Sequence, residues 1–173
     1  PFNMNFFTHQ RPEFDLVADQ RWRKNLRPYY QEFELDIDLI PAAADRSSIP
    51  GVFNEDMALL VEEFKPAVVS FHFGLPEASL LRRLKNMGCK ILSSATTVAE
   101  AKWLAENAVD GVIAQGWEAG GHRGHFLSDD LTEQMGIFAL LPQILAAVDV
   151  PVIAAGGIGS PAALKALLDI GAS

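Results

Sequence analysis

Cysteine occurs once in this chain of 173 residues, at Cys89. One thiol closes no disulfide within the chain, and a reducing cytoplasm is the simplest setting. Basic residues are also scarce: 14 Lys and Arg stand against 22 Asp and Glu, a formal net charge of −8. That balance disfavours nucleic acid and anionic membrane as partners, both of which want clustered cations. No apolar run approaches the roughly 20 residues of a membrane span, and no signal-peptide pattern is visible. The four histidines lack metal-ligand spacing, so no metal site is expected. Trp22, Trp103 and Trp117 are too scattered to form a stacking platform. Cys89 follows a helix-stopping Gly88 and precedes a strand-like run, which marks it as an inert buried thiol.

What is present is a core. Hydrophobic residues make up 49% of the chain, which reads as one globular domain over residues 1–173. Beyond residue 50 the pattern alternates between strand and helix. Short apolar runs at 67–71, 90–94, 109–114 and 151–155 read as strands, with a further one at 2–7. Between them lie helical stretches. Asn54 caps one that runs to Phe64, and Pro76 opens one that Gly88 ends. Thr97-Val-Ala-Glu100 is a capping-box pattern opening a third through Glu106, Ile137–Val148 is a fourth, and Ser160-Pro161 opens the last. Residues 8–50 are irregular, with a helix over Asp19–Glu32 that contains Pro28 and a loop from Asp36 to Pro50. The alternation predicts parallel βαβ units. A (β/α)8 TIM barrel has eight strands in about 250 residues. The expectation is therefore of an α/β barrel of which this chain carries five of the eight units, two strands preceding Pro1 and one following Ser173. A complete five-stranded doubly wound sheet is the alternative.

Parallel α/β folds place ligands beyond the C-terminal ends of their strands. The segments there are Asn5 to His9, His72 to Gly74, Ser93 to Thr97, Gln115 to Gly124 and Gly156 to Ser160. The fourth is the richest, Gln115-Gly-Trp-Glu-Ala-Gly-Gly-His122-Arg-Gly124. It presents a titratable imidazole on a loop whose glycines at 120, 121 and 124 let backbone approach a ligand. His122 is the candidate catalytic residue, as base, acid or electrostatic partner of an anion. Glu118 is expected to orient the loop through backbone N–H groups. Gly156-Gly157 ahead of a helix start is either a phosphate-binding turn or only a tight turn. His72 either lines the pocket or is a satisfied core histidine; His9 and His125 are expected to play loop roles.

Five segments together carry a family resemblance: Pro1-Phe-Asn-Met-Asn-Phe-Phe7, Ser70-Phe-His-Phe-Gly-Leu-Pro76, Ser93-Ser-Ala-Thr-Thr97, Gln115 to Gly124 and Ala154-Ala-Gly-Gly-Ile-Gly159. In this order they resemble the nitronate monooxygenases, formerly 2-nitropropane dioxygenases. The Glu-Ala-Gly-Gly-His-Arg-Gly run is the most specific of them. The resemblance implies a TIM barrel binding FMN without a covalent bond, and oxidation of nitronates or nitroalkanes with O2 to carbonyl compounds and nitrite. It implies that His122 stands beside the flavin and that Gly156 and Gly157 form a phosphate loop. Asn5 and Gln115 would contact the flavin from strand ends, and Gly120 and Gly121 would lie against it. The family's first strand, with its Pro-Met segment, would precede Pro1, and its eighth, with a Gly-Thr pair completing the phosphate cup, would follow Ser173. An FMN-dependent enoyl-acyl-carrier-protein reductase shares part of the pattern and is the closest rival, and a non-catalytic flavin- or phosphate-binding fragment is another. The expected partners are a small nitronate or nitroalkane and O2, with a homo-oligomer left open.

Overall fold

A computed structural model of the chain describes residues 1–10, 13–40 and 52–173. They fall into two compact units, one of residues 1–9 with 52–173 and one of residues 10–51.

The smaller unit is built on one helix, α1 (Leu16–Glu32). It starts three residues before the expected Asp19, because Asp15 Oδ1 accepts from the Val17 and Ala18 N–H groups at 2.9 and 3.1 Å. Those donors have no partner within the helix, and an Asp at the cap satisfies them. No residue of α1 is buried, and Pro28 sits inside it without ending it. Arg23 donates to Asp19 at 2.7 Å and to the carbonyls of Ile37 and Ile40 at 2.9 and 3.0 Å. Arg27 grips both oxygens of Asp38 at 2.8 and 2.9 Å. A short 3-10 turn, Ile37–Leu39, occupies the head of the stretch expected as loop. The remainder of that expectation, residues 41–50, lies outside the described residues.

The larger unit is a five-stranded parallel sheet of β1 (Asn3–Phe7), β2 (Val68–His72), β3 (Lys90–Ala95), β4 (Gly111–Gln115) and β5 (Val152–Ala155). The strands lie side by side in chain order. A doubly wound sheet reverses its order at a switch point. Here there is no reversal, so the sheet has the sequential winding of the TIM barrel and holds five of its strands. The Asp110 N–H donates to Ile91 O as the chain turns into β4, and the Ser173 N–H makes the equivalent bond to Val152 O at 2.9 Å.

Five helices flank these strands: α2 (Glu55–Phe64), α3 (Ala78–Asn86), α4 (Val98–Glu106), α5 (Ile137–Leu145) and α6 (Pro161–Ile170). Three start as their sequences predict. Asn54, Thr97 and Ser160 each accept from the backbone N–H three residues on. The expected start at Pro76 is corrected. Pro76 is buried in the segment before the helix, and α3 begins at Ala78 behind Glu77. α5 ends at Leu145, short of Val148, because Ala147 and Val148 both turn their N–H groups back to Ile144 O.

Register separates the two faces of the sheet. Phe6, Phe71, Ser93, Val112 and Val152 are aligned across all five strands. With Val69, Ile91, Ala95 and Ala114 they form the outer face, packed with Ala58, Val61, Leu84, Leu104, Leu140, Leu141 and Ile144 of the helices. The alternate positions form the inner face, since successive strand side chains point to opposite sides. Cys89 is buried, donates to Pro66 O at 3.4 Å, and burial pushes its thiol pKa up. That agrees with an inert thiol.

Candidate active site

The inner face is polar toward its first strands. Ser70 Oγ accepts from Asn3 Nδ2 and donates to Asn5 Oδ1, both at 2.8 Å, so Asn5 is tied across β1 and β2. Phe7 lies two residues further along the same face, at the C-terminal rim. There its ring meets the rings of His72 at 5.7 Å, Phe73 at 5.5 Å and His122 at 5.1 Å. His9 packs edge-on against Phe7 and Phe73. Phe73 adopts φ +72°, a conformation a bulky side chain rarely takes, and it turns its ring onto the same cluster.

His122 is exposed at this rim, and its backbone is fixed from below. Its carbonyl accepts from Gln115 Nε2 at 2.9 Å and from His72 Nε2 at 3.1 Å. Gln115 Oε1 accepts from the Gly124 N–H at 2.8 Å, so both ends of one buried amide are spent on the loop. Because the His122 carbonyl only accepts, His72 carries its proton on Nε2 and Nδ1 accepts from Ser94 Oγ at 3.0 Å. Burial lowers the His72 pKa, and the nearby Arg123 charge acts in the same direction against the hydrogen bond to His122. Both ring nitrogens of His72 are engaged, so it is satisfied, but it is not a core residue: its half-buried ring lies against Phe7 and Phe73 at the rim. Gly124 is glycine for a steric reason, since a Cβ there would stand 2.5 Å from His72 Cε1.

Arg123 donates to the carbonyls of Gln115 at 3.2 Å and Gly116 at 2.6 Å, with its guanidinium over the Trp117 ring. Glu118 orients backbone, as expected. Its Oε2 accepts from the Ile137 N–H at 2.9 Å and so caps α5 behind Gly136. The next residues pack on the glycine turn. Gly156 and Gly157 have φ +108° and +68°, and a Cβ on either would stand 2.7–2.8 Å from Ala119 or Glu118. The histidine loop and the glycine turn, apart in sequence, are therefore in contact. Gly120 and Gly121 face open space, and Gly121 has φ +73°. His125 faces Asp129 at 3.4 Å. No cluster of metal-ligating side chains occurs among the described residues.

Three participants have no mark in the sequence that points to the site. Phe7 and Phe73 carried no signal beyond being aromatic. Glu100 was read as half of a capping box, yet it is 1% exposed and sends one oxygen to Thr96 and the other to Phe126 and Leu127.

A parallel sheet wound in chain order, with a histidine loop and a glycine turn at its C-terminal rim, defines the class: an α/β-barrel fold, of a kind that keeps its ligand sites above the strands. The family model for nitronate monooxygenase matches residues 1–173, and the chain belongs to that family. It is 41% identical to the nitronate monooxygenase of Paraburkholderia phytofirmans over 99% of this chain and 46% of that protein. The crystal structure of nitroalkane oxidase from Streptomyces ansochromogenes superimposes with a TM-score of 0.82 at 33% identity, covering 99% of this chain and 48% of that one. FabK from Thermotoga maritima is less similar, with a TM-score of 0.56 and 28% identity over 87% of this chain and 45% of that one. The chain spans about half the length of these relatives.

Proposed function

We propose that this chain contributes the histidine side of an active site that oxidises alkyl nitronates or nitroalkanes with O2, giving carbonyl compounds and nitrite, with FMN as cofactor. The observation that carries the reading is the placement of His122. Its carbonyl is held by two side chains, its ring is exposed beside Phe7 and Phe73, and its loop rests on the Gly156–Gly157 turn.

The residues fit a phosphate-bearing flavin. The Gly156–Gly157 turn leads into α6, whose N-terminus offers backbone N–H groups and a favourable dipole to an anion without any basic side chain. Gly120 and Gly121 offer backbone free of side-chain obstruction. Asn5 presents a side-chain amide from the inner face, and Gln115 serves the site through the loop it clamps. When bound, the flavin supplies the electron acceptor, and the protein supplies position and electrostatics. His122 takes the carbon-bound proton of a neutral nitroalkane, or holds an already anionic nitronate. Phe7 and Phe73 shield one side of that imidazole from water. No described helix is long and apolar enough to cross a membrane. The cytoplasm is the proposed setting, on the strength of the single thiol.

The test is steady-state O2 uptake and nitrite release by the whole protein with propionate 3-nitronate and a small alkyl nitronate. Nitronate-dependent uptake with stoichiometric nitrite is expected. NAD(P)H oxidation with a crotonyl thioester and no nitronate-dependent uptake would transfer the protein to the enoyl reductases. Flavin absorbance retained with neither activity would leave a non-catalytic flavin binder.

A further inference from the structure

We propose that Glu100 is a positioning residue for His122, acting through the exit of the loop; the link to catalysis rests on the function proposed above. Glu100 lies in the first turn of α4 and is 1% exposed. Its Oε2 accepts from the Thr96 N–H at 2.7 Å and the Thr96 hydroxyl at 2.8 Å. Its Oε1 accepts from the Phe126 N–H at 2.6 Å and the Leu127 N–H at 3.3 Å.

Helix capping does not account for this arrangement. In a capping box the Glu returns to the N–H of the cap residue. The cap here is Thr97, and Glu100 passes it by. One oxygen takes the residue before the cap, just past the end of β3, and the other takes backbone 26 and 27 positions away. Glu100 thus ties a strand end to the segment that leaves the His122 loop. The tie is reinforced by packing. The Phe126 ring lies 5.2 Å from Trp103 of α4, and a Cβ at Gly74 would stand 3.2 Å from it. Between Phe126 and His122 the backbone is held at Gly124 by Gln115, and the Arg123 side chain is tied to the carbonyls of Gln115 and Gly116. The imidazole is therefore carried on a span fixed at His122 O, at Gly124 N and at Phe126 N. Glu100 supplies the last of these anchors, and its hydrogen bonds go to Thr96, Phe126 and Leu127 and not to His122.

The chemistry of the side chain makes the proposal testable. All four partners donate. A carboxamide has one acceptor oxygen, so Glu100→Gln turns an NH2 toward N–H donors on one side or the other. Losing a buried bond to a charged group corresponds to about ten- to hundredfold in local opening. The amides of Phe126 and Leu127 should exchange with solvent faster by that factor in Glu100→Gln. The His122 ring resonances should broaden or move. In the whole FMN-loaded protein kcat on a nitronate should fall about ten- to hundredfold with KM little changed, since small misplacements cost that much. Leu104→Ala, in the same helix and fully buried, is the control for lost stability alone. It should lower the thermal midpoint and leave the Phe126 and Leu127 exchange, the His122 resonances and the kcat-to-KM balance in place. If Glu100→Gln shifts these readouts only as Leu104→Ala does, Glu100 is a structural residue and the proposal fails.

If Glu100→Gln does not fold, the unsubstituted protein decides. Phe126 and Leu127 amides that exchange as fast as Gly120 would overturn the anchor, and amides as slow as those of α4 would support it. Exchange and ring resonances need neither flavin nor substrate. Absence of nitronate turnover in the unsubstituted protein would thus sink the proposed function while the anchor is still judged on its own.

Discussion

The two faces of the sheet are made of different chemistry. The outer face is Phe6, Val69, Phe71, Ile91, Val112 and Val152 under a layer of helices, with Ser93 its polar member. The inner face and the rim above it carry Asn3, Asn5, Ser70, His72, Ser94 and Gln115, joined to one another or to loop backbone by hydrogen bonds. Apolar burial is non-directional and sets how strongly the unit folds. Hydrogen bonds contribute little net stability but fix geometry. The outer face therefore holds the strands in place, and the inner face decides where a ring on a loop above them points.

Substitutions on each side should separate these roles. The largest effect is expected from His122→Asn. The ring is exposed, so the change in folding stability should stay within about 0.5 kcal/mol. Turnover of a neutral nitroalkane should fall about 10²–10⁴-fold, the usual worth of a general base. Nitronate turnover should fall less, since no proton need be removed. Equal losses on the two substrates in parallel kinetics would make His122 an electrostatic partner only. Next comes Phe71→Ala on the outer face, which should cost about 3–5 kcal/mol in denaturant unfolding. Any protein that still folds should keep its preference between nitroalkane and nitronate. The smallest effect concerns pH. Burial lowers the His72 pKa, so its contribution to stability is complete above the ordinary histidine range and is lost as pH falls through its own lowered pKa. Replacing His72 with Gln should flatten the fall in stability between neutral pH and about pH 5 by less than one proton's worth of slope. An unchanged slope in denaturation midpoints measured across that interval would show that His72 does not titrate there.

Much of the outer layer was legible in the residues. The apolar runs near 67, 90, 109 and 151 are strands, and Asn54, Thr97 and Ser160 cap as their side-chain chemistry dictates. The parallel pairing followed from the alternation of the elements, whereas the sequential strand order, which a doubly wound sheet would break, came from the structure. Boundaries were less legible. Asp15 started α1 early, and Pro76 stayed outside α3. Which face a residue occupies was legible least in strands such as Val68-Val-Ser-Phe-His72, where apolar residues fall on both faces and the period of two is blurred. The site divided along the same line. Local chemistry marked His122, Glu118 and the glycine turn. The side-chain partners of His72 lie 22 and 50 positions away and Phe126 lies 26 positions from Glu100, and no local pattern encodes such bonds. The positive φ of Phe73 likewise has no mark in the local sequence.

The contact between Ala119 and Gly156 bears on how such a site can be altered. Two pieces that look like separable modules, a histidine loop and a glycine turn, share a wall with no room for one extra carbon. Neither can be grafted alone into a related barrel, or exchanged with a homologous stretch, unless its counterpart travels with it. A library that shuffles the two independently should yield mostly inactive chimaeras, and the survivors should carry matched pairs.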